Sequence, residues 1–419
     1  MSPNGDIRMR GFQQRTPVSA AIDWIDTQSA SLQTQRTSDG SGLEFVPLAE
    51  ACGRVLAEAV ISPINVPGFE RAMMDGFAVH AEDLTGVSAD CRVILRVVGE
   101  SLPARPFSGA VNRGEVIRIM TGSPFPRTAT AVLPAELTRP VDSDRIEAIG
   151  RVLAGKHVGR VGEDIAAGQT LLNAGRRLRP QDIGAASSIG CSRLKVIRRP
   201  HVRILLTGSE LLPAGAKPEG FRIADANGPL LSGLVHRDGA VLLGVEYLGD
   251  SRDSLRRALH EPADVILVSG GSSVGQEDFV PDVLREVGEL AIHGLALRPA
   301  APTGIGRIGK TLVFLLPGNP VSCLCAGDLL AGRSIRQLGG RSGGLPYASE
   351  RLQLGGPVLS ATGRLDYVRV RREGNSIHPL ATSGAAMLGT TVRADGFLLV
   401  PAEREQLEAG EIVEYYSYD

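Results

Sequence analysis

The chain is poor in aromatic rings and in cysteine, and it carries almost no net charge. One Trp, six Tyr and ten Phe in 419 residues leave little material for the stacking platforms that hold single-stranded nucleic acid. With 45 Lys+Arg against 46 Asp+Glu the formal charge is −1, so the simplest electrostatic case for DNA binding is absent. No apolar run approaches the roughly 20 residues that a membrane helix requires. The polar opening, Met1 to Arg15, lacks the apolar centre of a secretory signal, and a cytoplasmic protein is expected. The five cysteines (Cys52, Cys91, Cys191, Cys323 and Cys325) are odd in number and scattered, which argues against a disulfide framework. Cys323 and Cys325 have no second pair or nearby His to complete a zinc set and read as buried structural thiols. No His-x-x-x-His or Glu-x-x-His spacing occurs, so metalloprotease chemistry is not indicated.

What is present is turn chemistry. The 51 glycines and 26 prolines exceed what a helical bundle needs, and no Gly-X-Y period accompanies them. Length predicts two to four domains. Residues 16–60 and 162–198 read as one discontinuous helical domain. Within it, Thr16-Pro17 offers a helix start, 28–42 a polar loop, and 48–59 a second helix. Residues 61–161 break into short apolar runs cut by Gly and Pro, the pattern of an inserted β domain. From 199 to 340, strands near 202–206, 240–245, 264–268 and 312–316 alternate with helices, the last at 321–337. That alternation predicts a parallel α/β sheet whose ligands sit at the carboxyl ends of the strands. A Gly-rich linker then leads to a small β domain at 345–419.

The turns on that rim carry the chemistry. Ser269-Gly-Gly-Ser-Ser-Val-Gly275 follows a strand and precedes a helix. Backbone N–H groups of Gly270, Gly271 and Gly275, with the hydroxyls of Ser269, Ser272 and Ser273, can surround an anion there. It is neither a Walker A loop nor Gly-x-Gly-x-x-Gly, and a plain strand-to-helix turn is the alternative. Glu210, Asp250 and Asp278 lie beside it, and Mg²⁺ takes one or two carboxylates together with phosphate oxygens. Singly, each is equally an ordinary solvated acid. Pro317-Gly-Asn-Pro320 runs from a strand straight into a helix that holds Ser322. Its prolines make a rigid loop suited to a small ligand. Arg298-Pro-Ala-Ala-Pro302 is a second proline-bracketed loop, with one cation. In the β region, Asp75, Thr121 and Asp164 occupy turns that by themselves read as Asx-type hairpin corners.

The ordered set is more specific than its members. Met74-Asp-Gly-Phe-Ala78, Met120-Thr-Gly-Ser-Pro124, Gly162-Glu-Asp-Ile165, Thr207-Gly-Ser-Glu-Leu211, Asp225-Ala-Asn227, the Ser269–Gly275 loop and Pro317-Gly-Asn-Pro320 together resemble the molybdopterin molybdenumtransferase (MoeA) family, to which the gephyrin E domain is related. The resemblance runs from about residue 16 to the C-terminus. It implies an elongated homodimer of four parts: a discontinuous helical domain, an inserted β domain, an α/β molybdopterin-binding domain and a C-terminal β-barrel. It implies Mg²⁺-dependent insertion of molybdate into adenylylated molybdopterin with release of AMP, on small-molecule substrates, without nucleic acid or membrane. It further implies that Asp75, Thr121, Asp164, Glu210, Asp250 and Arg298 act in catalysis, the last in the family's Lys-Pro-Gly-Lys-Pro loop. Asn227, Ser269 to Ser273, Gly275, Pro317, Gly318, Asn319, Pro320 and Ser322 would bind substrate, and Glu210, Asp250 and Asp278 would hold Mg²⁺.

The same comparison exposes departures. Arg298-Pro299-Ala300-Ala301-Pro302 stands where the family has Lys-Pro-Gly-Lys-Pro, so one cation is missing at Ala301, and Lys310 is a candidate to replace it. Ser209 replaces an Asp, Gln276 another, and Gly389-Thr390 a Ser-Ser pair. A second reading is therefore a molybdopterin-binding paralogue or scaffold with reduced insertion. A third is an unrelated α/β nucleotide hydrolase using the same loop.

Overall fold

In the computed structural model, which describes residues 15–88, 90–271, 279–381 and 384–419, the N-terminal helix runs further than its polar composition suggests. It spans Val18–Ser38, with Pro17 at the N-cap position and no side-chain cap; Thr16 instead pairs through its backbone with Gly294 and Ala296. The loop expected from residue 28 begins only after Ser38. Tertiary partners account for this. Ser29, Leu32 and Arg36 are buried at helical spacing. The Ser29 hydroxyl meets that of Ser334 at 3.2 Å, and Asp26 accepts both Arg333 Nε and Nη2 at 2.6 Å. Packing overrides weak propensity here.

That helix belongs with the second half of the chain. Main-chain contacts divide the protein into one unit of Met1–Glu44 with Ile197–Asp419 and another of Phe45–Val196. The division falls between Glu44 and Phe45 and again between Val196 and Ile197.

In the first unit, the strands Val241–Tyr247, His201–Leu206, Val265–Ser269 and Thr311–Leu316 lie side by side and parallel. Val265–Ser269 is buried throughout, as a strand covered on both faces must be. Two further strands, Gly304–Ile308 and Glu289–His293, extend the sheet antiparallel, so it is mixed rather than wholly parallel. A Cβ on Gly306 would stand 2.0 Å from the carbonyl oxygen of Glu289, so only glycine lets the two strands approach. The last helix is α over Pro320–Ala326, π over Gly327–Ala331 and α again over Gly332–Leu338. Beyond it, Leu365–Glu373, Ser376–Ala381, Ser349–Leu354, Ile412–Ser417 and Gly396–Val400 pair in a ring that closes on itself, a five-stranded barrel. Closure removes the exposed strand edges.

The second unit holds the sheet Ala131–Pro134, Gly76–Val79, Glu115–Ile119, Val93–Ser101, Arg145–Ala148 and Thr138–Pro140, in that spatial order. In the rest of the unit the predicted helix 48–59 stops after Leu48–Ala51, because Gly53 turns at φ +76° and Val55 and Leu56 form bridges to Arg177 and Val196. Pro180–Ser188 is the second α-helix there. No described helix is long and apolar enough to cross a membrane.

The buried hub of this region is Asp182. It accepts Arg176 Nη2 at 2.8 Å and the Arg179 backbone N–H at 2.9 Å, so its side chain closes the first turn of the helix. The hydrogen-bonded Arg176 guanidinium, followed by Arg179, holds its pKa far below the usual carboxylate range. A depressed folded pKa contributes stability in full above the unfolded value, about 4, and loses it as pH falls towards the folded one. Asp182→Asn is therefore expected to melt at lower temperature at pH 7 and to show a flatter decline below about pH 4. Parallel melting curves for the two proteins across pH 2–7 would contradict this.

Candidate functional site

Parallel strands of matched register deliver their following residues to one rim. Leu206 pairs with both Tyr247 and Ser269, and Ser269 with Leu316, so the loops that start at Thr207, Leu248, Gly270 and Pro317 leave the sheet together. Thr207 N–H donates to Ser269 O at 3.0 Å, and Gly270 N–H to Leu316 O at 3.2 Å. The second bond changes one expectation: the N–H of Gly270 is occupied, and among the described residues the loop's donors without a bond begin at Gly271. Gly270 is needed instead for shape. Its φ is +99°, and a Cβ there would lie 2.3 Å from Thr207 O. Ser272, Ser273, Gly275 and Asp278 lie outside the described residues.

Asn227 ties this rim together. It opens the helix Asn227–Arg237, and its Nδ2 donates to Ser269 Oγ at 2.9 Å and to Gly318 O at 2.8 Å. One amide thus joins the ends of two adjacent strands. Asp225 anchors the turn before the helix by accepting the Gly228 N–H and the Tyr247 hydroxyl, each at 2.9 Å. At this rim two of the buried polar atoms have no partner among the described residues: Asn227 Oδ1 and Thr207 Oγ1. Native proteins rarely leave such atoms unpaired, and a ligand is the economical partner.

The 317–320 loop performs as its prolines suggest. Asn319 caps the following helix by its backbone, its O accepting Cys323 N–H at 2.9 Å, and Gly318 approaches Gly270. Ser322 is buried in the first helical turn. Cys323 Sγ lies 3.7 Å from Ser269 Oγ, and burial pushes its thiol up to about 12. It is therefore a neutral wall of the site. Cys325 is buried too, and its thiol is likewise pushed up by burial.

Two acids flank the rim. Asp250 Oδ2 accepts the Ser209 N–H at 3.0 Å, and the Glu210 carboxylate folds over Gly208, where a Cβ would stand 2.6 Å from Oε2. Both are exposed, and they sit on loops leaving neighbouring strands. Among the described residues no three potential metal ligands converge.

The cations are elsewhere. Arg298 does not present a free guanidinium: it pairs with the fully buried Asp366 and donates to Leu359 O at 3.2 Å. Asp366 also accepts Arg364 Nε at 3.0 Å and Ser360 Oγ at 2.8 Å. Lys310 pairs with Asp39 at 3.3 Å. It precedes the strand Thr311–Leu316, whose far end feeds the 317–320 loop. At about 3.3 Å per residue that strand separates the two by roughly 15–20 Å, so Lys310 cannot stand in for the cation missing at Ala301.

In the other unit, Asp75 and Thr121 meet. The Thr121 N–H and hydroxyl both donate to Asp75 Oδ1, at 2.7 and 2.8 Å. Those bonds, the backbone one first, hold the Asp75 carboxyl below its ordinary pKa and leave Oδ2 available. Gly76 beside it is obligatory, since a Cβ would fall 2.1 Å from Leu133 O. Asp164 is exposed, and its turn is held by backbone bonds of Gly162 to Pro67 and of Asp164 to Val66. No hydrogen bond among the described residues joins it to Asp75 or Thr121.

Sequence reasoning missed Thr207, Asp225 and Tyr247 as site residues. The first two stood inside quoted motifs, and their signal was a polar side chain at a strand's carboxyl end. Tyr247 gave none, because its role depends on register with Leu206.

Residues 16–190 match the MoeA N-terminal region (domain I and II), 203–336 a probable molybdopterin binding domain, and 351–418 the MoeA C-terminal region (domain IV). The chain is 32% identical over 379 residues to molybdopterin molybdenumtransferase 2 of Mycobacterium tuberculosis, covering 87% of this chain and 92% of that protein. It is 30% identical over 380 residues to the molybdopterin molybdenumtransferase of Haemophilus influenzae, covering 88% and 92%. A crystal structure of the molybdopterin biosynthesis MoeA protein from Pyrococcus horikoshii superposes with a TM-score of 0.80 at 31% identity, over 97% of this chain and 100% of that one.

Proposed function

The chain belongs to the MoeA family, the molybdopterin molybdenumtransferases, and from that membership and the chemistry of the rim we propose that it inserts molybdate into adenylylated molybdopterin and releases AMP. The observation that carries this reading is the clamp at Asn227, with buried Asn227 Oδ1 and Thr207 Oγ1 left for a ligand. The acceptor Oδ1 suits a ligand N–H or O–H, and the hydroxyl suits either a donor or a phosphate oxygen. Ser269 and the donors that begin at Gly271 would receive the phosphate, and residues 317–320 with Ser322 would bound the molybdate pocket.

Glu210 and Asp250 offer the hard oxygen donors that Mg²⁺ accepts beside substrate phosphate, where the ion would neutralise phosphate and molybdate charge. This chain's own residues do the rest by positioning. Asp75, held ionised by Thr121, would orient water or accept a proton at Oδ2, and Asp164 would act in the same reaction. Arg298 would act indirectly, by fixing its loop against Asp366. Cleavage of the pyrophosphate bond then needs no covalent protein intermediate. We place the enzyme in the cytoplasm as a homodimer, acting on small molecules alone.

The test is AMP release from adenylylated molybdopterin with Mg²⁺ and molybdate, measured by chromatography alongside molybdenum bound to the pterin. The two should appear in equal amounts. Asp75→Asn should lower the rate at least tenfold without changing the melting curve. Wild-type protein that releases no AMP would end this reading, and an unaffected Asp75→Asn would remove Asp75 from it.

A further inference from the structure

One aromatic ring next to the rim has no role in what precedes. Phe221 is fully exposed, at 101% of its reference surface. Burying a phenylalanine is ordinarily worth about 1.5–3 kcal/mol, and within this chain the ring forgoes all of it. Its backbone is not loose. Arg222 N–H donates to Glu219 O at 2.9 Å, closing a tight turn in which Gly220 takes φ +57° and Phe221 occupies the corner. The Arg222 guanidinium reaches back to Leu211 O at 3.3 Å, and Ile223 N–H donates to Glu210 O at 2.9 Å.

The turn is thereby anchored to rim residues on both sides. Leu211–Leu212 pairs in parallel with Ile223–Ala224, and the chain then enters Asp225 and Asn227. The hydroxyl of Tyr247, which donates to Asp225, also accepts the Ala214 N–H at 3.1 Å, so the base of the 213–222 loop is fixed to the same network. The ring therefore stands at the corner of a bonded turn, two residues before a strand that is tied to Glu210 and leads directly to Asp225 and Asn227.

The geometry points to Phe221 as the stacking platform for a planar heterocycle of the substrate, and this inference rests on the proposed function. An adenylylated pterin carries two such rings, the pterin and the adenine, and either has the π-face that a phenyl ring recognises. Phe221 is then a binding residue that sets affinity and leaves the chemical step alone.

Phe221→Ala, Phe221→Trp and the wild-type full-length protein should be titrated with molybdopterin and with adenylylated molybdopterin, alongside measurement of KM and kcat for AMP release. Loss of one stacked base typically costs about tenfold in affinity. Phe221→Ala should raise Kd and KM by about that factor at unchanged kcat, and Phe221→Trp should restore both. Weakening confined to the adenylylated ligand assigns the ring to adenine; equal weakening of both assigns it to the pterin. Unchanged affinity in Phe221→Ala, with wild type binding normally, overturns the inference and leaves the proposed function standing. Altered assembly mass at unchanged affinity also overturns it, since the ring would then belong to a contact between copies. If wild type binds neither ligand, the functional reading fails first and this one with it.

Discussion

Asn227→Ala is expected to lower kcat/KM for AMP release by about a hundredfold while leaving the folded protein intact. The side chain makes two donated bonds, to Ser269 Oγ and to Gly318 O. Ser269 is buried and Gly318 is exposed, so deletion strands the Ser269 hydroxyl while solvent can reach the Gly318 carbonyl. A buried unsatisfied partner costs about 1–3 kcal/mol. If most of that falls on the geometry of the 269–271 and 317–320 loops, about 3 kcal/mol is roughly two orders of magnitude in rate. Asn227→Asp should do no better than alanine, because a carboxylate cannot donate and would face an anionic ligand. Steady-state assays with melting curves would decide the matter. An Asn227→Ala enzyme within threefold of wild type would show that the clamp does not control the site.

Asp366→Ala should produce the largest loss of stability, about 3–5 kcal/mol, by removing the buried carboxylate that two partly buried guanidinium groups share. Asp366 is completely buried and is bonded by Arg298, Arg364 and Ser360. It stands where Leu297–Arg298 joins the barrel strand Leu365–Glu373. Losing it should therefore also loosen the Arg298 loop, and the rate of AMP release should fall with the stability. Arg298→Ala should cost less, since Arg298 is partly exposed and Arg364 still compensates the acid. Urea titrations of both variants test the order. A loss below 1 kcal/mol in Asp366→Ala would mean that water replaces the network.

Much of the site was legible because its chemistry depends on local backbone. Strand-to-helix turns of glycine, serine and proline can be read where they stand, and Ser269, Gly271 and residues 317–320 were singled out that way, whereas Asn227 entered only with the family resemblance. Asp75 and Thr121 read only as hairpin corners, yet they meet. Forty-odd residues separate them in sequence, and the pairing of Gly76 with Ile119 brings them together. The cation assignments failed for the opposite reason. Arg298 looked free because its partner Asp366 lies in another domain of the same unit, and Lys310 looked near because loop lengths hide which end of a strand a residue occupies. The N-terminal helix misled in the same manner: its polar second half is helical because Ser334 and Asp264 wait for it.

The residues alone determined which turns can form and the alternation of strands and helices, since those follow from steric limits on φ and from local hydrophobic period. Family membership could likewise be read from the ordered motifs. Which polar groups are spent on each other and which are left for a ligand was settled only in three dimensions. Ion pairs and buried hydrogen bonds depend on distance between atoms, and sequence separation carries no record of that.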